Sequence, residues 1–232
     1  MSNLLVGGVE TFSAVDFPGK LAAVVFLQGC PWRCPFCYNT DLQPVGKATD
    51  FIWDKFLEFL VSRRGKLDAV VFSGGEPLVQ EALGDAMRQV RELGYEIGLH
   101  TGGYRPKKLA EVLPLVNWIG FDIKAPFEEK RYAEVTKTNH LKEVLQSLDM
   151  ILASGKDFEC RTTCDPRLLT CADLRKMAEA LYGKGVKKYF LQKYRPVPSD
   201  TQTSDSACES LLSDPQLLEY LQTHFEEFEV RK

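Results

Sequence analysis

Six short apolar runs, each followed by a longer stretch of helical character, constrain this chain more than any other feature. The runs lie at 21–27, 67–72, 95–100, 116–123, 157–163 and 188–192. Leu21-Ala22-Ala23-Val24-Val25-Phe26-Leu27 is nearly continuous in apolar residues. Such a run suits a parallel strand covered on both faces, not a half-exposed antiparallel one. Between the runs, 51–64 places Ile52, Phe56, Phe59 and Leu60 near helical spacing behind Thr49-Asp50, read as a cap. Stretches 80–93, 107–115, 128–153 and 172–182 behave similarly, and Asp214-Pro215 opens a last helix with Leu217, Leu218, Leu221 and Phe225 on one face. Six alternations predict right-handed βαβ units and hence an α/β fold on a parallel sheet, either open and doubly wound or a curved, incomplete barrel. At 232 residues the chain reads as one domain. Its expected parts are an N-terminal lead-in (1–20), a core (21–195), and a polar surface loop (196–213) with a C-terminal helix (196–232 together).

Twenty-nine basic and 32 acidic residues give a net charge of −3 with no basic face, so nucleic acid is not the expected partner. The start, Met1 to Gly8, lacks the basic and apolar regions of a signal peptide. No apolar stretch approaches the roughly 18–20 residues that cross a bilayer. The expectation is a cytoplasmic protein without a membrane partner. Seven cysteines, an odd count, argue against a disulfide framework.

Three of those cysteines fall within eight residues. The first strand ends in Gln28-Gly29-Cys30-Pro31-Trp32-Arg33-Cys34-Pro35-Phe36-Cys37-Tyr38-Asn39, a C-x3-C-x2-C spacing. In parallel α/β folds chemistry gathers beyond the C-terminal strand ends, which is where this loop sits. A short loop can wrap an iron–sulfur cluster and offer three thiolates. A full electron-transfer cluster takes four, so three leave one iron with an open position for a ligand. The spacing alone also admits buried structural thiols, a zinc site with a distant fourth ligand, or a four-cysteine cluster recruiting Cys160 or Cys164.

The second strand ends in Ser73-Gly74-Gly75-Glu76-Pro77, where paired glycines let backbone approach a ligand and Glu76 adds a carboxylate. The two motifs in this order resemble the radical S-adenosylmethionine superfamily. Glu10-Thr11-Phe12-Ser13-Ala14-Val15-Asp16-Phe17-Pro18-Gly19-Lys20, before the first strand, resembles the glycyl-radical-enzyme activases. Val15–Lys20 and Cys34-Pro35-Phe36-Cys37-Tyr38-Asn39 look most like the longer form of anaerobic ribonucleoside-triphosphate reductase activating protein.

The resemblance implies a partial (β/α)6 barrel and a [4Fe–4S] cluster on Cys30, Cys34 and Cys37. It implies S-adenosylmethionine bound with Phe36 near the adenine and with Gly74, Gly75 and Glu76 on the methionyl amino group. Thr101 (in His100-Thr101-Gly102-Gly103), Asp122 and Lys124 match positions that contact ribose or carboxylate; Arg161, Thr163 and Gln192 are further candidates. Asp122 with Lys124 also reads as an ordinary ion pair, and Arg161 as a structural charge. Two departures stand out. Tyr38 follows the third cysteine where many activases have His, and His100 replaces an Asp linked to a monovalent cation.

The implied chemistry is reductive cleavage of the cofactor, with an electron from flavodoxin or ferredoxin, to a 5′-deoxyadenosyl radical. No side chain need serve as acid or base. The expected acceptor is a glycine of a partner such as anaerobic ribonucleoside-triphosphate reductase. The alternatives are a small-molecule substrate, as in deazapurine synthases, and a zinc-stabilised binding module without catalysis.

Overall fold

The computed structural model describes residues 4–197 and 200–232. Among the described residues eight strands lie in chain order in the sheet: β1 (Val6–Ser13), β2 (Ala22–Leu27), β3 (Ala69–Gly74), β4 (Glu96–Thr101), β5 (Trp118–Asp122), β6 (Asp157–Cys164), β7 (Lys188–Lys193) and β8 (Glu227–Arg231). Among the described residues eight α-helices connect them: α1 (Trp53–Ser62), α2 (Leu83–Glu92), α3 (Pro106–Val112), α4 (Glu129–Thr136), α5 (Leu141–Ser154), α6 (Cys171–Gly183), α7 (Asp205–Leu212) and α8 (Pro215–His224). The six expected strands are β2 to β7.

Packing divides the chain into two units. Among the described residues the first holds 4–31, 39–120 and 143–157. There β1 runs antiparallel to β2, while β2, β3 and β4 are parallel, with Ala22 opposite Ala69 and Ala69 opposite Glu96. Ala22 to Val25 and Ala69 to Phe72 are fully buried, as strands covered on both faces must be. The second unit holds 32–38, 121–142, 158–197 and 200–232, with β6, β7 and β8 parallel.

Four sequence expectations need correction. The lead-in is largely the edge strand β1, hidden because Gly7, Gly8 and several exposed polar residues leave it no apolar run. The stretch 128–153 is two helices: Lys137 adopts the left-handed conformation at φ 60° after α4, and the Thr136 hydroxyl donates to Tyr132 O at 2.8 Å. The region 196–213 carries α7, capped by Ser204 Oγ accepting from Ala207 N at 3.2 Å, and β8 follows the last helix. Ile52 without a side-chain bond, not Thr49-Asp50, precedes α1. Asp214 and Pro215 do open α8, Asp214 Oδ1 accepting from Leu217 N at 2.7 Å. Among the described residues no helix is long and apolar enough to cross a membrane.

Candidate active site

In the first unit β2 leads into Gln28, Gly29 and the buried Cys30. The chain after the cysteine loop folds back to hold this end. Gly29 N donates to Leu42 O at 2.7 Å and Cys30 N to Gln43 O at 3.0 Å. Gln28 Nε2 donates to Asp41 O and Pro44 O, both at 3.0 Å, and Gln80 Nε2 donates to Gln28 O at 2.6 Å. These bonds tie the backbone on either side of Gly29 to the segment that follows the cysteine loop.

The end of β3 lies against this segment. Gly75 N donates to Leu27 O at 2.9 Å and Glu76 N to Gly29 O at 2.8 Å. Gly74 has φ +109°, and a Cβ there would stand 2.2 Å from Leu27 N. On Gly75 a Cβ would stand 2.2 Å from Gly29 O. The paired glycines are thus required by the approach of two backbones.

Glu76 is 1% exposed. Its Oε1 accepts from Thr101 Oγ1 at 2.5 Å and from Leu78 N at 3.1 Å, and Oε2 accepts from Gly102 N at 2.8 Å. Thr101 Oγ1 in turn accepts from Gly103 N at 2.9 Å. Glu76 and Thr101, both expected at the cofactor, are brought together as a clasp between the β3 and β4 ends. His100 is also engaged: Nε2 lies 2.9 Å from Asp16 O and Nδ1 3.3 Å from Ser73 Oγ.

In the second unit Cys34 and Cys37 share a tight turn, Cys37 N donating to Cys34 O at 3.0 Å. Arg33 N donates to Thr136 O at 3.1 Å, anchoring the turn to the end of α4. Burial pushes the Cys34 thiol up to about 11, against the pull of the Lys124 ammonium. A metal ion binding there must displace that proton, and Lys124 eases the displacement. Phe36 packs on Tyr194, Val197 and Cys208.

Asp122, Lys124 and Arg161 form one charged ladder. Arg161 Nε and Nη2 reach Asp122 Oδ1 at 3.1 and 2.9 Å, and Lys124 Nζ stands 3.6 Å from Asp122 Oδ2. Lys124 Nζ is also 5.0 Å above the ring of Trp32, which is 1% exposed. The sequence signal for Trp32 is its place between the first two cysteines of the loop. Gln192, on β7 opposite Thr163, is half-buried.

Among the described residues no group of three His, Cys, Asp or Glu side chains is gathered so as to hold a single metal ion. A four-iron cluster asks for a different arrangement, one thiolate at each of three corners. The thiol donors, the glycine-lined strand end and the cationic Lys124 suit the chemistry of such a cluster and of an amino-acid-bearing cofactor.

The comparisons with known proteins agree. Residues 24–165 match the Radical SAM superfamily. A Methanocaldococcus jannaschii protein provisionally named a glycyl-radical enzyme activating enzyme is 30% identical over 202 residues, 83% of this chain and 80% of that protein. The pyruvate formate-lyase-activating enzyme of Clostridium pasteurianum is 32% identical over 124 residues, 51% of this chain and 52% of that enzyme. Streptococcus suis SuiB bound to S-adenosylmethionine superposes with a TM-score of 0.66 at 15% identity, covering 88% of this chain and 48% of SuiB. The chain thus spans about half the length of SuiB, and the likeness is one of fold. It bears out the α/β class expected from the sequence. The cofactors of the matched superfamily are S-adenosylmethionine and a [4Fe–4S] cluster, and Cys30, Cys34 and Cys37 all lie in the matched stretch. The chain belongs to the radical SAM superfamily, as an enzyme of the type its sequence relatives are named for, the glycyl-radical-enzyme activating enzymes.

Proposed function

We propose that this chain installs a glycyl radical on a partner enzyme, with anaerobic ribonucleoside-triphosphate reductase as the partner and flavodoxin or ferredoxin as electron donor. Cys30, Cys34 and Cys37 hold the cluster. Gly74, Gly75 and the clasped Glu76–Thr101 pair shape the strand ends that receive the methionyl amino group. Lys124, oriented by Asp122 and Arg161, would pair with the cofactor's carboxylate, and Phe36 would offer its ring to the adenine. When bound, the cluster would supply the electron for reductive cleavage of S-adenosylmethionine, the chemistry that leads to hydrogen-atom abstraction from the substrate. The protein's part is to orient the cofactor and exclude water, with no side chain acting as acid or base.

What supports the activase reading most is the relative that matches four-fifths of its own length to this chain. The identity of the partner rests on Val15–Lys20 and Cys34–Asn39, which resemble the ribonucleotide reductase activases. Anaerobic incubation of reconstituted protein with reductant, S-adenosylmethionine and candidate glycyl-radical enzymes tests both. Electron paramagnetic resonance should show a glycyl radical on the reductase. A radical on a different candidate would change the partner. If all candidates stay silent while 5′-deoxyadenosine forms, the activase reading fails.

A further inference from the structure

The Val15–Lys20 segment carries the activase likeness, yet nothing in the chemistry above uses it. It joins β1 to β2 through a loop bonded within itself. Ser13 Oγ donates to Asp16 Oδ2 at 2.5 Å and accepts from Val15 N and Asp16 N at 3.2 and 3.3 Å. Lys20 N donates to Phe17 O at 3.1 Å. The loop leaves Val15 85% exposed but drives Phe17 down to 5%. Phe17 packs into a cluster with Val24, Val71 and Trp118, its ring 5.4 Å from that of Trp118. Gly98 on β4 makes the space: a Cβ there would meet Val71 Cγ2 at 2.9 Å and Phe17 Cδ1 at 3.1 Å.

Two residues further along the same face of β4 stands His100, edge-on to Trp118 at 5.6 Å. Its Nε2 is 2.9 Å from the Asp16 carbonyl, which can only accept, so Nε2 carries the proton. In the neutral ring Nδ1 then accepts from the Ser73 hydroxyl at 3.3 Å. Ser73 immediately precedes Gly74 and Gly75, and His100 precedes Thr101. One imidazole therefore ties the loop to both strand ends.

We infer that His100 is a positioning residue: braced by the Asp16–Phe17 plug, it sets the β3 and β4 ends at which S-adenosylmethionine is held. The inference rests on the reading of Gly74–Glu76 as that binding site. The Val15–Lys20 motif thereby acquires a role, as the support under His100.

Two substitutions separate positioning from mere packing. His100→Gln keeps an N–H able to reach the Asp16 carbonyl, whereas His100→Leu keeps bulk and removes both bonds. In reconstituted, fully iron-loaded protein, the Kd for S-adenosylmethionine should rise about three- to tenfold in H100L, the weight of one or two neutral hydrogen bonds. H100Q should stay within about twofold of the parent. Phe17→Leu, which loosens the plug, should shift the Kd in the same direction as H100L. Nitrogen-15 NMR, with the His100 signal assigned by its loss in H100Q, should show the Nε2–H tautomer. An Nδ1–H tautomer, or H100L binding the cofactor as tightly as the parent, overturns the inference. Failure of the parent protein itself to bind S-adenosylmethionine overturns instead the site reading beneath it.

Discussion

Glu76 and Thr101 clasp the ends of β3 and β4, the hydroxyl donating to the carboxylate at 2.5 Å while Gly102 N donates to its other oxygen at 2.8 Å. Glu76 is buried, and these donors together with Leu78 N stabilise its charge in place of water. Glu76→Gln puts an N–H where an acceptor is needed. The variant should lose about 1–3 kcal/mol of unfolding free energy and bind S-adenosylmethionine more weakly. Urea unfolding and equilibrium dialysis check the two effects.

The adjacent glycines make a sharper contrast. A Cβ on Gly75 would collide with Gly29 O at 2.2 Å, against backbone, with no flexible group to yield. Gly75→Ala should therefore separate the β2 and β3 ends and lower cofactor affinity at least about tenfold, a loss of about 1.4 kcal/mol. Gly8 is the control, because a Cβ there would meet nothing within 4 Å. Gly8→Ala should change stability by no more than about 0.5 kcal/mol and leave affinity alone.

Lys124 and Asp122 divide the labour of their ladder. Lys124→Met leaves Asp122 bonded to Arg161, so the fold and the iron content should hold while the Kd for S-adenosylmethionine rises. Asp122→Asn takes the carboxylate from Arg161, which is 8% exposed, and should cost about 1–3 kcal/mol of stability. Iron analysis, dialysis and urea unfolding of both variants distinguish the roles; equal loss of iron in K124M would refute them.

The strands β2, β3 and β5 were the most legible because their residues are largely buried and so write their burial as an apolar run. By contrast, β6 buries the polar Glu159, Arg161 and Thr162 and rests on the alternation with helices. The edge strands leave no such record. In β1 glycines and exposed polar residues break the pattern, and in β8 only Phe228 and Val230 carry it. The break at Lys137 is a backbone event that periodicity passes over. Within the site, the cysteine spacing and the Gly74-Gly75-Glu76 motif were legible because their residue types are scarce and their order is specific. The division of partners was not. That Glu76 would meet Thr101, or His100 the Asp16 carbonyl, depends on which strand ends the fold brings side by side.

Asp173 offers a test by pH. It sits in a capping box with Thr170 and pairs with Arg131 at 3.2 and 2.8 Å. Burial pushes its carboxyl up, but Arg131 and Thr170 more than offset this and hold it below the ordinary value. A depressed carboxyl pKa stabilises the fold above the unfolded value, about 3.9, and that stability is lost as pH falls through the folded value. Asp173→Asn should cost about 1–2 kcal/mol at pH 7. The gap between the two proteins should narrow below about pH 4. A gap independent of pH would assign the effect to shape instead of charge.

The central claim is that Cys30, Cys34 and Cys37 together carry a cluster that cleaves S-adenosylmethionine. The most direct test is anaerobic reconstitution of the parent chain and of the variant with all three changed to Ala, followed by iron analysis and assay of 5′-deoxyadenosine after reduction. The account predicts a brown parent protein with four irons per cluster that releases 5′-deoxyadenosine, and a colourless, inactive variant. A variant that still bound four irons and cleaved the cofactor, or a parent that took up zinc and stayed colourless, would contradict it.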